Sequence, residues 1–145
     1  MEMKATAFDQ VIEEYHRANS EFAKGNPGPL QQLFSHRDDV TLLDPSGGMQ
    51  RGWEEVARRQ ERNASLFRDA EPSAFERIAT YVTPELASIV EVERHRARVG
   101  GSEEIVTSTL RVTTLFRPEE GTWKVVHRHA DPVNAPRLRE ALTQQ

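Results

Sequence analysis

No cysteine occurs in the 145 residues, which excludes disulfides, thiolate metal sites and cysteine nucleophiles. No apolar run approaches the roughly 20 residues that a membrane-spanning helix needs. The opening Met1-Glu2-Met3-Lys4 carries no apolar stretch of the secretory type. Positive charge is not in excess. The 19 Lys and Arg stand against 23 Asp and Glu, a net charge of -4, so a general nucleic-acid binder is not expected. Glycine pairs only as Gly47-Gly48, with Gly52 close by, and as the hairpin signal Gly100-Gly101. No Gly-Lys-Ser/Thr follows and no dinucleotide fingerprint exists, so phosphate cradles are not expected. There is no Gly-x-Ser-x-Gly elbow, no internal repeat, no low-complexity tract and no linker long enough to divide domains. What remains is side-chain chemistry in one pocket, without a cofactor, in a soluble cytoplasmic protein that uses neither membrane nor nucleic acid.

What is present suits one folded domain over residues 1–145. Hydrophobic residues make up 37% and charged residues 29%, a polar but foldable balance. Phe8, Val11, Ile12, Tyr15, Ala18 and Phe22 recur at helical spacing and predict a long first helix, with Thr6 able to cap it. Gly25-Asn26-Pro27-Gly28-Pro29 ends it, and a short helix over Leu30 to Phe34 follows. Val40 to Leu43 reads as a short strand, stopped by the turn Asp44-Pro45-Ser46-Gly47-Gly48. Gly52 to Arg68 is helical again, with Trp53, Val56, Ala57, Ala64 and Phe67 on one face. After Pro72 the period changes to two. Strands are predicted over Phe75 to Val82, Leu86 to Val99, Ile105 to Arg117 and Trp123 to Ala130, with a tail helix over Arg137 to Leu142. Helices followed by a four-strand meander mean an α+β fold.

Three strings carry a resemblance. They are Tyr15 to Gly25 leading into Leu33-Phe34, Asp39-Val40-Thr41-Leu42-Leu43-Asp44-Pro45 followed by Gly52, and Gly121-Thr122-Trp123-Lys124-Val125-Val126-His127-Arg128-His129. Together they resemble the nuclear transport factor 2-like superfamily. It includes the SnoaL-like polyketide cyclases, the ketosteroid isomerases and the association domain of calcium/calmodulin-dependent protein kinase II. The resemblance covers about Phe8 to Pro132. It implies a curved antiparallel sheet wrapped around the long N-terminal helix, a cone with an internal cavity, and homodimers through the sheet's outer face.

The resemblance also implies site residues. In the isomerases an Asp-Pro at this strand end supplies the base, and Asp44-Pro45 matches it; a carboxylate in a cavity wall can move a proton α to a carbonyl. Asp-Pro-Ser-Gly is equally good turn chemistry. Tyr15 lies on the helix that carries the isomerases' oxyanion donor, one turn before the matching position, Ala18. It reads either as that donor or as a core tyrosine with a satisfied hydroxyl. The strand from Ile105 to Phe116 lacks the isomerases' second acid, which argues against steroid isomerisation. The association domain's pocket arginine falls at Ala130; Arg128, two residues earlier, shares its face and is the candidate ligand contact. Arg111 and Thr113 are further candidates, and each arginine could instead pair with Glu91 or Glu93. Trp53, Phe67, Phe75 and Trp123 are expected in core or cavity wall, Trp53 as a ligand contact.

On the last strand, simple alternation groups Trp123, Val125, His127, His129 and Asp131 on one face and Arg128 on the other. Residues two apart stand about 6.6 Å from each other. His-x-His could chelate zinc or iron, but no third convergent ligand is visible and no metal is expected. These histidines are instead expected at a homodimer interface. His95, among Arg94, Arg96 and Arg98, reads as a solvated strand end. The functional expectation is a cofactor-free pocket for a small apolar molecule bearing a carbonyl or hydroxyl, turned over by acid/base chemistry. The alternative is a non-catalytic binding or oligomerisation module.

Overall fold

The computed structural model describes residues 2–133 and 142–143. Helix α1 (Glu2–Ala23) buries the predicted stripe: Phe8, Ile12, Tyr15 and Ala18 face the core, with Val11 and Phe22 at its margin. The helix runs from Glu2, so Thr6 lies within it rather than at its start. Gly25 reverses the chain at a φ of +94, a conformation open to glycine at low cost. An added Cβ there would stand 3.0 Å from the Phe67 carbonyl oxygen, so this glycine also permits a close chain approach. Helix α2 (Gly28–Leu33) carries proline in its first turn, where no N–H bond is required of it.

Strands β1 (Thr41–Leu43) and β2 (Met49–Arg51) form a hairpin around the Asp44 turn, and helix α3 (Trp53–Ala64) follows. Then come β3 (Phe67–Arg68), β4 (Ala74–Val82), β5 (Ala87–Val99), β6 (Val106–Glu119) and β7 (Thr122–Pro132). The sheet order is β2-β1-β7-β6-β5-β3, with β4 also paired to β5. The predicted antiparallel meander is β4 through β7. β1 joins it in parallel on β7. The result is α+β: a strongly curled half-barrel sheet around the N-terminal helix. The three-residue β2 and two-residue β3 are additions to the predicted elements. The predicted tail helix lies outside the described residues except for Leu142. No helix among the described residues is long and apolar enough to cross a membrane.

Phe8 packs edge-on to Phe116 and against Trp123, both at 5.2 Å between ring centres, and Tyr15 packs on Phe116 at 5.5 Å. Those contacts place Trp123 on the inner side of the sheet. A bulge explains this. Leu115 pairs with His127 but Phe116 pairs with Val125, so Val126 is an extra residue on β7. Alternation therefore breaks at Val125-Val126, both of which are buried. Trp123, Val125, Arg128 and Ala130 all face inward, which corrects the expectation that Trp123 and Val125 lie opposite Arg128.

Candidate functional site

Between α1, α3 and the inner face of β5–β7 lies a cavity of about 540 Å³. Its walls are mainly apolar and include Phe22, Leu42, Leu66, Phe67, Val106 and Leu110. Polar side chains converge on it from five elements and one turn: Asn19 from α1, Gln60, Arg62 and Asn63 from α3, His95 from β5, Ser108 from β6, Arg128 from β7, and Asp44 from the turn after β1.

Arg128 stands in a cross-strand row with Leu42 and Thr114. Arg128 is only 8% exposed, and its guanidinium grips Glu93 in a two-pronged ion pair, both N···O distances 2.9 Å. It also donates to the Tyr15 hydroxyl at 2.6 Å. Arginine accepts nothing, so the Tyr15 proton goes to Thr114 Oγ1 at 2.7 Å. Glu93 Oε1 also accepts from His95 Nε2 at 2.9 Å, and His95 Nδ1 meets Ser73 Oγ at 2.7 Å. The result is a continuous chain of groups: Thr114, Tyr15, Arg128, Glu93, His95, Ser73.

Burial alone would raise the Glu93 carboxyl; the Arg128 charge and hydrogen bonds, aided by His95, outweigh it and hold the group well below the usual carboxylate range. The same pairing keeps Arg128 protonated against its burial. Burial pushes the Tyr15 hydroxyl upward despite Arg128. Three of the five guanidinium N–H groups are engaged by Tyr15 and Glu93, which leaves donors for a ligand oxygen.

Asp44 lies in the cavity wall as expected, but its carboxylate is fully engaged. Oδ1 accepts from Ser46 N, Ser46 Oγ and Gly48 N. Oδ2 accepts from Arg59 Nε at 2.6 Å and Asn63 Nδ2 at 3.1 Å. Burial works to raise it, yet these donors hold it well below the usual range. A carboxylate so stabilised is a weak base. Its observed work is to close the β1–β2 turn and fix that turn to α3.

Tyr15 is fully buried behind Arg128 and does not line the cavity. With its proton spent on Thr114 it positions Arg128 and offers no donor to a ligand, unlike the oxyanion role implied for it. Arg111 and Thr113 face the outer side, because Thr114 rather than Thr113 pairs with Arg128. Arg111 meets Asp131 there at 3.5 Å. Trp53 stacks on His36 at 3.9 Å beside an open surface depression and takes no part in the cavity. Phe67 lines the cavity, and Phe75 stacks on His16 at 4.1 Å. His127 bonds Thr41 through Nδ1 at 2.7 Å, and His129 bonds Asp131. No group of three His, Asp or Glu among the described residues could hold a metal ion.

Three residues of the site escape the sequence reading of function. Ala87, Ile89, Glu91, Glu93, His95 and Ala97 alternate along β5 and are all buried, while Arg94 and Arg96 face solvent. That parity was the available signal for Glu93 and His95. Glu91, the neighbour in this ladder, is held by His16 and Arg77. Gln60 sits between Val56 and Ala64 at four-residue spacing on α3, a polar residue inside an apolar stripe.

The SnoaL-like domain family matches residues 9–134. The chain belongs to that family. No curated protein matches it significantly. Among solved structures, it is similar to a candidate dehydratase of the nuclear transport factor 2-like family from Streptomyces avermitilis. The two share 17% identity over 93% of this chain and 100% of that one, with a TM-score of 0.75. A ketosteroid isomerase-like protein from Erwinia carotovora atroseptica shares 13% identity over 90% and 96%, with a TM-score of 0.74. A candidate calcium/calmodulin-dependent kinase II association domain from Exiguobacterium sibiricum shares 18% over 91% and 95%, with a TM-score of 0.70. At these identities the likeness speaks for the fold, and one fold hosts many activities.

Proposed function

We propose that this SnoaL-like chain binds a small, largely apolar molecule bearing a carbonyl or hydroxyl group, and carries out cofactor-free acid/base chemistry on it. The observation that carries this reading is the apolar cavity lined by both Arg128 and His95, which are held together by one carboxylate, Glu93. Imidazole is the side-chain type suited to exchanging protons near neutrality. In a bound ketone, His95 Nδ1 takes the proton α to the carbonyl once the Ser73 hydroxyl turns aside. The C–H electron pair moves toward the carbonyl, and the Arg128 N–H groups bind the resulting enolate oxygen. Returning the proton to another carbon isomerises the ligand; expelling a β-hydroxyl as water dehydrates it. Asp44 and Tyr15 hold the site in shape.

A second reading is binding without turnover, favoured by the saturation of both Asp44 and Glu93 by protein partners. One experiment separates the two. The α-protons of 2-tetralone are followed by NMR in deuterated buffer with and without protein. Catalytic exchange that is lost in His95→Gln while 2-tetralone still binds supports acid/base chemistry. Binding with exchange no faster than buffer leaves the binding module. Absence of any binding by apolar ketones rejects the pocket reading.

A further inference from the structure

Gln60 is 2% exposed and lines the cavity, yet neither its amide oxygen nor its amide nitrogen has a hydrogen-bond partner. Buried polar groups are rarely left so, and each such exception asks for a reason. The residue's neighbours do not share this condition. Arg59 and Asn63, on either side of it in α3, are committed to Asp44. Asn19, across the cavity, donates to the Tyr15 carbonyl at 2.9 Å. Gln60 projects from the core-facing stripe of α3, where Val56 and Ala64 are apolar, so packing alone would be served by leucine or methionine at the same position.

We infer that Gln60 reads the ligand, pairing its carbonyl and NH2 with a neutral edge that carries a hydrogen-bond donor beside an acceptor, as a lactam or primary amide does. The inference rests on the pocket reading above and adds a ligand class to it. A carboxamide offers one acceptor and two donors in a plane, and a lactam edge is its complement. Neutrality follows from the depth of the site: the buried charges here, Arg128 and Asp44, are already balanced by Glu93 and Arg59, whereas Arg62, the other arginine of the lining, is exposed to solvent. The rest of such a ligand would lie against Phe22, Leu66, Phe67 and Leu110. A site built to hydrogen-bond a group rejects analogues that lack it, because its own buried atoms are then left unpaired.

The test uses three aromatic probes of similar size: 2-quinolone, which has the lactam edge; N-methyl-2-quinolone, which keeps only the acceptor; and 1-methylnaphthalene, which has neither. Affinities are measured by protein-observed NMR titration. The native chain is expected to bind 2-quinolone at least tenfold more tightly than its N-methyl analogue, with the Gln60 side-chain NH2 resonances shifting on binding. Gln60→Leu is expected to raise the melting temperature of the free protein, since an unpaired buried amide is removed, and to erase the tenfold preference while keeping affinity for 1-methylnaphthalene. Gln60→Met serves if the leucine variant does not fold. Binding of 1-methylnaphthalene with no preference between the quinolones in the native chain overturns the role of Gln60 and leaves the pocket reading intact. A preference that survives in Gln60→Leu or Gln60→Met overturns it equally. Binding of none of the three probes rejects both.

Discussion

Glu93 is a carboxylate with no exposure, and two effects contend over it. Burial disfavours its charge, and Arg128 favours it; the charge prevails. Its folded pKa therefore lies below its unfolded value of about 4.3. Stability from this pair is fully present above that pH and is lost as pH falls through the folded value. In Arg128→Met the balance reverses. Burial then dominates, the folded pKa rises above the unfolded one, and the penalty applies only where the unfolded chain would ionise. At pH 7 the variant is expected to lose about 3–5 kcal/mol, the cost of stranding one member of a buried pair. The gap should narrow markedly by pH 4. Urea denaturation at the two pH values measures it, and a gap of equal size at both would show that Glu93 is not the group Arg128 stabilises.

At the scale of elements, the turn between β1 and β2 is where the sequence reading and the structure diverge most instructively. Asp44 was legible as a turn residue from its local string, and as a cavity-wall carboxylate only through the resemblance to the isomerases' Asp-Pro. Its saturation was not legible, because Arg59 and Asn63 come from α3 and only tertiary packing brings them there. Gly48 completes the arrangement: a Cβ on it would stand 2.7 Å from Asp44 Oδ2 and 2.8 Å from Arg59 Nη2. Gly48→Ala is therefore expected to cost about 1–2 kcal/mol by pushing the Asp44–Arg59 pair apart. Gly101→Ala, with nothing near its added Cβ, is expected to be neutral. Equal melting temperatures for the two variants would count against the turn's dependence on that pair. The long strands were legible for the opposite reason, since alternation over ten or so residues is a strong local signal. The β7 bulge was not, because Val125-Val126 are both apolar and leave no mark of the parity change. β2 and β3 are too short to show a period at all. The inward face of β5 was readable but masked by its arginines: Arg94 and Arg96 draw the eye to a charged strand end, whereas parity puts His95 among the buried residues.

For the whole molecule, the curled sheet commits its inner face to α1 and the cavity and leaves its outer face without a layer. Cross-strand rows on that face are mixed in character: Val90 beside Thr113 and His129, Val92 beside Arg111 and Asp131, Ser88 beside Leu115 and His127. Arg111 and Asp131 lie side by side at 3.5 Å, so the patch carries both charge signs close together. A two-fold interface must face its own copy, and a patch with adjacent opposite charges and apolar neighbours is self-complementary in that sense. Further apolar surface continues at the edge, where Ile78 is 58% and Tyr81 is 64% exposed on β4. We propose a second copy of this chain as the occupant of the outer face. Sedimentation at micromolar concentration is expected to give a dimer. Thr113→Arg, which adds a second guanidinium to the row beside Arg111, is expected to shift it toward monomer without changing the inner cavity. His127 is held low by burial and by the nearby His129. A dimer in which it is covered further should resist its protonation and weaken as the pH is lowered far enough to charge it. A native chain that sediments as a monomer would remove this interface; a dimer unmoved by Thr113→Arg would place the contact elsewhere on the surface.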